Sequence, residues 1–242
     1  MNNCSQQLRP VRSRFIYLED AKKPNELIKF PMNQNQSYPQ RVSERILPLS
    51  LATNLPEAFD EWQFTGSTED HLEPCEVCGI CGQEDLRYHF EIKNDFTRCT
   101  LDVASHCILR FSLRVYDNGE QLSSKDAKKY LGRLVQKMRL ESCIQALENL
   151  AKSEDNKILH GALDYYKRNK KLTPKQAFVV FWRLSKYTID YDPSFFSINL
   201  QKEKFVDDLR DMPTDRVHYF WLSLTSSQRK KAVELGQKPP ST

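Results

Sequence analysis

The chain has 242 residues, 39% of them hydrophobic and 28% charged, with a formal net charge of +4. That length fits one large domain or two small ones, and the apolar share suffices for a core of moderate size. No run of about 18 apolar residues occurs, which excludes a membrane span. The polar start, Met1 to Pro10 with Cys4, lacks the pattern of a secretory signal. These features predict a soluble cytoplasmic protein, in a compartment where thiols rarely pair into structural disulfides.

In chain order, residues 1–60 read as an irregular N-terminal extension. The tetrapeptides Phe15-Ile16-Tyr17-Leu18 and Leu27-Ile28-Lys29-Phe30 are candidate short strands, and the polar stretch Asn33 to Gln40 predicts a loop. Residues 61–120 carry a two-residue period. Leu86, Tyr88, Phe90 and Ile92 alternate with Arg87, His89 and Glu91, and after polar Asn94 to Arg98 the alternation resumes at Cys99, Leu101 and Val103. Two such runs around a short connection predict a β-hairpin. Ser105 then caps an expected short helix through Cys107, Ile108 and Phe111, while Arg114-Val115-Tyr116 is ambiguous.

Residues 121–242 predict a bundle of about six helices. Ala127, Leu131, Leu134, Val135 and Met138 share one face. Leu140, Ile144, Leu147 and Leu150 form a second stripe, and Ile158, Leu159, Ala162, Leu163 and Tyr166 a third. Thr173-Pro174-Lys175-Gln176 combines an N-cap, a first-turn proline and a capping box. The run Ala177 to Leu184 behind it is expected to be the best-buried helix. Thr225 to Gln228 repeats the capping logic, and Gly236 with Pro239-Pro240 stops the last helix. The expected fold class is therefore α+β, a small zinc module followed by a helical domain.

Five of the seven cysteines, Cys75, Cys78, Cys81, Cys99 and Cys107, crowd into one segment, which favours metal over disulfides. Cys78-Gly79-Ile80-Cys81-Gly82 has the form of a zinc knuckle: two thiolates grip one ion from a tight turn, and glycine lets the backbone reverse. Cys75-Glu76-Val77-Cys78 is a competing pair in overlapping register. Cys107, on the helix after the hairpin, is the third ligand, since a helix start favours thiolate. A closed structural site needs a fourth. Cys75, His71, His89, Cys99 and His106 are the choices, with Cys75 and His106 ranked first. Knuckle, hairpin and helix-borne ligand describe a treble-clef-like finger around Zn2+. The plainer reading makes these cysteines reduced bystanders, some of them buried as small hydrophobes.

Trp62, the cysteine pair, Leu86 to Ile92, Asn94, Thr97, Leu101, Val103, Ser105, Cys107-Ile108 and Phe111 resemble a finger of uncharacterised bacterial, phage and plasmid proteins. Its pattern is Cys-x-x-Cys, a strand ending in Ile-x-Asn-x-x-Thr-Gly, then Val-Gly-Ser-x-Cys-Ile. Arg98 and Ala104 stand where that pattern carries glycine. The resemblance implies a fold and a bacterial or mobile-element origin, and no activity.

An HNH-like nuclease would use His71, Asn94 and His106, which occur in that order, but His71 precedes the knuckle and no Asp-His or His-His pair accompanies it. No phosphate-cradling glycine loop, nucleophile elbow or His-Glu-x-x-His helix is present. Charge is split along the chain. Residues 65–120 hold 5 Lys and Arg against 11 Asp and Glu, a net of −6, whereas residues 121–242 hold 23 against 14, a net of +9. Lys167, Arg168, Lys170, Lys171 and Lys175 form one basic cluster and Arg229, Lys230 and Lys231 another. Both suit phosphate, with Tyr165, Tyr166 or Trp182 available to stack on bases. Against this stands the bland reading of solvated lysines and core aromatics. The expected function is non-catalytic DNA or RNA binding. The alternative is a protein-interaction adaptor or inhibitor, with the acidic module docking a partner and Phe178, Phe181 and Trp182 offering an apolar face.

Overall fold

The computed structural model describes residues 37–241, so the candidate strands at 15–18 and 27–30 lie outside the described residues. It divides into two compact units at Leu134, inside a long helix rather than at residue 121.

The described part of the first unit starts with two short helices, α1 (Tyr38–Ile46) and α2 (Leu55–Asp60). The expected loop thus gives way to helix from Tyr38 on. Ser37 donates its backbone N–H and its hydroxyl to the Gln40 side chain, Pro39 suits the first turn, and Val42 and Ile46 supply a buried face. A three-stranded antiparallel sheet follows in the order β1 (Trp62–Asp70), β2 (Tyr88–Asn94), β3 (Thr100–Val103). The hairpin read from the alternation is present: Phe90 stands opposite Val103 and Ile92 opposite Leu101, all four buried. β1 has no such period, because three residues, Thr65 to Ser67, bulge out opposite the single residue Glu91.

A buried polar node holds the hairpin. Asn94 accepts from the amides of Phe96 and Thr97 at 2.9 Å each and donates to Glu61 at 2.7 Å and to the Leu49 carbonyl at 3.3 Å. The Glu61 carboxylate also accepts from the amides of Leu51 and Ala52. The turn closes through Arg98 in the left-handed region, at φ 64°. Glycine is the natural residue there. Ala104, at φ −74°, tolerates a side chain without strain. The short helix α3 spans Ser105–Arg110, and its N-cap is Ala104, not Ser105, which is already helical. A two-residue hairpin, β4 (Tyr116–Asp117) with β5 (Glu120–Gln121), completes the strands among the described residues of this unit.

Helix α4 (Ser124–Ser153) is continuous where two stripes were expected; Ala127, Leu131, Met138, Cys143, Leu147 and Ala151 along it are buried. In the second unit α5 (Lys157–Asn169) buries Leu159, Ala162, Leu163 and Tyr166. Ile158 is 71% exposed, because it falls outside that i, i+3, i+4, i+7 stripe. A two-residue strand β6 (Lys171–Leu172) pairs in parallel with β7 (Ser197–Ile198). Between them α6 (Pro174–Lys186) starts at the Thr173–Gln176 capping box and buries Ala177, Val180, Phe181 and Leu184. Helices α7 (Glu203–Arg210), α8 (Thr214–His218) and α9 (Ser226–Glu234) close the bundle. The Thr225–Gln228 box starts α9, and Gly236 follows its end at φ 95°. Buried Gln237 donates to the carbonyls of Leu209, Arg210 and Met212, tying the C-terminal segment to the end of α7. Among the described residues no helix is long and apolar enough to cross a membrane.

Candidate metal centre

The chain reverses between Glu76 and Leu86, which exchange backbone hydrogen bonds, and tightens to a turn in which Cys78 N–H donates to the Gln83 carbonyl and Gly82 N–H to the Cys78 carbonyl. Gly82 takes φ 72°, the reversal expected of a knuckle. Gly79 has a role the sequence did not disclose. Its N–H donates to the Asp102 carbonyl at 2.8 Å, and a Cβ there would stand 2.9 Å from that oxygen, so only glycine lets the knuckle lie this close to β3. Arg45 from α1 donates to the Cys78 carbonyl at 2.8 Å. The first turn of α3 brings Cys107.

These elements converge on Cys78, Cys81 and Cys107, all buried, with sulfurs within 4.8 Å of one another. The Cys78 and Cys107 sulfurs are 3.6 Å apart. That is far too long for a disulfide, and close to the roughly 3.8 Å between two sulfurs bound at 2.3 Å to one tetrahedral ion. The Cys78 sulfur also accepts from the Ala104 N–H at 3.4 Å. Hydrogen bonds from the Cys107 and Cys78 thiols, helped by the Gln83 amide and His106, hold Cys81 well below the usual thiol range. Cys107 is pushed up by Cys78, by Cys81 and then by burial. Cys81 is thus the thiol favoured to ionise, at the expense of its two neighbours. The three cysteines can hold a metal ion.

His106 and Cys75 both lie outside the 4.8 Å group. His106 Nε2 is 3.9 Å from the Cys81 sulfur, while Cys75 is exposed on the approach to the knuckle. Of the other ligand choices, His71 and His89 bond each other at 3.2 Å and Cys99 is buried beside Thr97. The buried Tyr38 hydroxyl has no hydrogen-bond partner among the described residues and is pushed up by burial and by Cys107 and Cys81. Of the three residues an HNH-like site would use, Asn94 is engaged with Glu61 and the hairpin turn, His71 with His89, and His106 lies beside Cys81.

Among the basic residues, Lys167 pairs with Glu148 at 2.5 Å and Lys175 with Asp208 at 2.7 Å. Arg168 folds back on the Asp164 carbonyl, and Arg229 donates to the carbonyls of Trp221 and Leu222. Lys171 sits on β6, and Lys170 lies over the Tyr166 ring at 5.9 Å. Lys230 and Lys231 are exposed on α9. Tyr166 and Phe181 are core residues, so neither is open to a base or a partner; Trp182 is half-buried beneath Arg183 and Lys186. No protein-family model, curated protein or solved structure matches the chain.

Proposed function

We propose that the chain is a non-catalytic zinc-finger protein that binds nucleic acid. Its treble-clef-like module is built on structural Zn2+, held by Cys78, Cys81 and Cys107 with His106 as fourth ligand. The observation that carries this reading is the buried sulfur trio, all within 4.8 Å and with the Cys78–Cys107 pair at 3.6 Å, delivered by a knuckle and a helix on either side of a hairpin. The 3.9 Å from His106 Nε2 to the Cys81 sulfur is near the roughly 3.5 Å of a nitrogen and a sulfur sharing one zinc, so a turn of the imidazole toward the other two sulfurs would complete the site. Four protein ligands leave no position for substrate, so the ion serves the fold and not a reaction.

Nucleic-acid binding is supported by the net +9 of residues 121–242. Mobility shifts with mixed-sequence single- and double-stranded DNA and RNA test it directly. With about four phosphate contacts the log–log salt slope should be roughly −3 to −4. Lys170→Glu, Lys230→Glu and Lys231→Glu together should abolish the shift while zinc content and helicity stay unchanged. Failure of the unaltered protein to bind any of these at low salt refutes this part and leaves the interaction-module reading. That second reading is favoured by the pairing of Lys167 and Lys175 with acids and by the net −6 of residues 65–120.

A further inference from the structure

Helix α1 bridges the two elements that carry the cysteines. At its C-terminal end Arg45 donates to the Cys78 carbonyl at 2.8 Å and rests on Gly82, where a Cβ would stand 3.0 Å from the guanidinium. At its first residue the Tyr38 ring lies under the Arg110 guanidinium, 4.1 Å from the ring centroid, and stacks on Phe111 at 6.4 Å with 15° between the planes. Arg110 ends α3 one turn beyond Cys107, and Phe111 is the C-cap of that helix, stacked in turn on Phe59 at 4.3 Å. We propose that the Tyr38 hydroxyl donates a hydrogen bond to the zinc-bound thiolate of Cys107, an assignment that rests on the zinc reading above and deepens it by making α1 part of the metal site.

The hydroxyl is the feature in need of a cause. It is buried and has no hydrogen-bond partner among the described residues. Buried hydroxyls in folded proteins nearly always have one, because losing water without a replacement costs free energy. Arg110 and Phe111 hold the ring in place, so the acceptor has to be close by. The charges that act on the phenol name that acceptor. After burial, Cys107 and then Cys81 push the Tyr38 pKa up, Arg110 pulls it down and Cys78 adds a smaller upward push.

Of the three sulfurs, Cys107 is the one that lacks a donor. The Cys78 sulfur accepts from the Ala104 N–H at 3.4 Å, and the Cys81 sulfur from the Gln83 amide. Among the described residues no N–H donates to the Cys107 sulfur, whose contacts are with the other two thiols. A thiol is a weak acceptor, whereas an anionic thiolate takes part in the stronger, charge-assisted kind of bond. Three thiolates outweigh the two charges of Zn2+, so the loaded centre is an anion with its excess charge on sulfur. Donors of this kind fix the ligand's orientation, and removing one commonly weakens metal binding by roughly 10–100-fold.

The test uses the full chain loaded with zinc or cobalt. Tyr38→Phe deletes the oxygen and keeps the ring between its neighbours. Zinc affinity, read by competition with a chromophoric chelator, should fall by about tenfold or more. In the cobalt-loaded variant the sulfur-to-cobalt charge-transfer band should move to longer wavelength, because a thiolate relieved of a hydrogen bond gives up its electron more readily. In the unaltered zinc-loaded chain the Tyr38 hydroxyl proton should exchange slowly enough to be seen, with cross-peaks to the Cys107 β protons; this readout decides the matter even where the variant folds poorly. A buried hydroxyl that makes no bond to sulfur predicts the opposite sign, with zinc binding equal or tighter in Tyr38→Phe and the band in place. That result overturns the proposal. So does an affinity loss with an unmoved band, which marks packing alone, or cross-peaks to Cys81 or Cys78 in place of Cys107. An unaltered chain that takes up neither ion defeats the zinc reading itself, whereas an unmoved band in a chain that holds one defeats this inference alone.

Discussion

Replacing Cys107 by serine keeps the size of the side chain and would remove one metal–sulfur bond from the proposed zinc site, where the Cys78 and Cys107 sulfurs stand 3.6 Å apart. A structural zinc in a small finger contributes about 10–16 kcal/mol, so one ligand of four accounts for roughly 3 kcal/mol and its loss weakens binding about a hundredfold or more. The effect should exceed what the spacing of ligands alone suggests, because Cys107 also brings α3 against the knuckle. Metal per chain, measured by mass spectrometry after dialysis against a weak chelator, should fall from one to near zero in Cys107→Ser and Cys81→Ser and stay near one in Cys75→Ser. Cobalt in place of zinc separates the fourth ligand. His106→Ala should alter the ligand-field bands that Cys75→Ser leaves alone. Limited proteolysis should then cut the 88–103 hairpin in the cysteine variants first. Unaltered protein that holds no metal, or a Cys107→Ser variant that keeps a full ion through the dialysis, would refute the site; equal losses in Cys75→Ser and Cys81→Ser would refute its register.

The Glu61 carboxylate is pushed up by burial, but the hydrogen bonds from Asn94 and from the Leu51 and Ala52 amides win, so its folded pKa lies below the ordinary value of 4.5. A depressed carboxylate stabilises the fold above its unfolded pKa, and that stability is lost as pH falls through the folded value. Glu61→Gln should therefore cost about 2–4 kcal/mol at pH 7 in urea unfolding and flatten the loss below about pH 4.5; a variant with the same acid profile as the unaltered chain counts against the node. Arg98 sits at φ 64°, where a side chain costs about 1–2 kcal/mol and glycine relaxes the turn at some entropic expense. Arg98→Gly should raise the unfolding midpoint by the equivalent of about 0.5–1 kcal/mol, and a destabilised variant would show that the arginine side chain has a contact worth more than the strain.

What the sequence made legible is what repeats locally. The period of two from Leu86 to Val103 predicts the hairpin, and the boxes at Thr173 and Thr225 predict two helix starts that the structure places at Pro174 and Ser226. Each of those signals lies within a few residues. β1 escaped because its bulge breaks the alternation opposite Glu91, and the Glu61–Asn94 bond joins positions 33 residues apart. The candidate metal ligands show both limits at once. Cysteine spacing marked Cys75, Cys78, Cys81 and Cys107, yet only the fold, with Gly79 set against the Asp102 carbonyl of another strand, gathers Cys78, Cys81 and Cys107 and leaves Cys75 outside. No count of cysteines carries that fit.

Charge behaves differently from both. A net of +9 over residues 121–242 survives folding unchanged, because pairing Lys167 with Glu148 moves no charge out of the unit. The long-range field that would draw phosphate toward this half is therefore legible from composition. The contact set is not. Counterion release counts only cations that reach phosphate, and Lys167 and Lys175 must first give up carboxylates at 2.5 and 2.7 Å, while Arg168 and Arg229 must leave backbone carbonyls. A cluster that reads as eight cations in sequence thus narrows in three dimensions to Lys170, Lys171, Lys230 and Lys231 as the first candidates for contact, which is why a slope near −4 and not near −8 is the value that would agree with this fold.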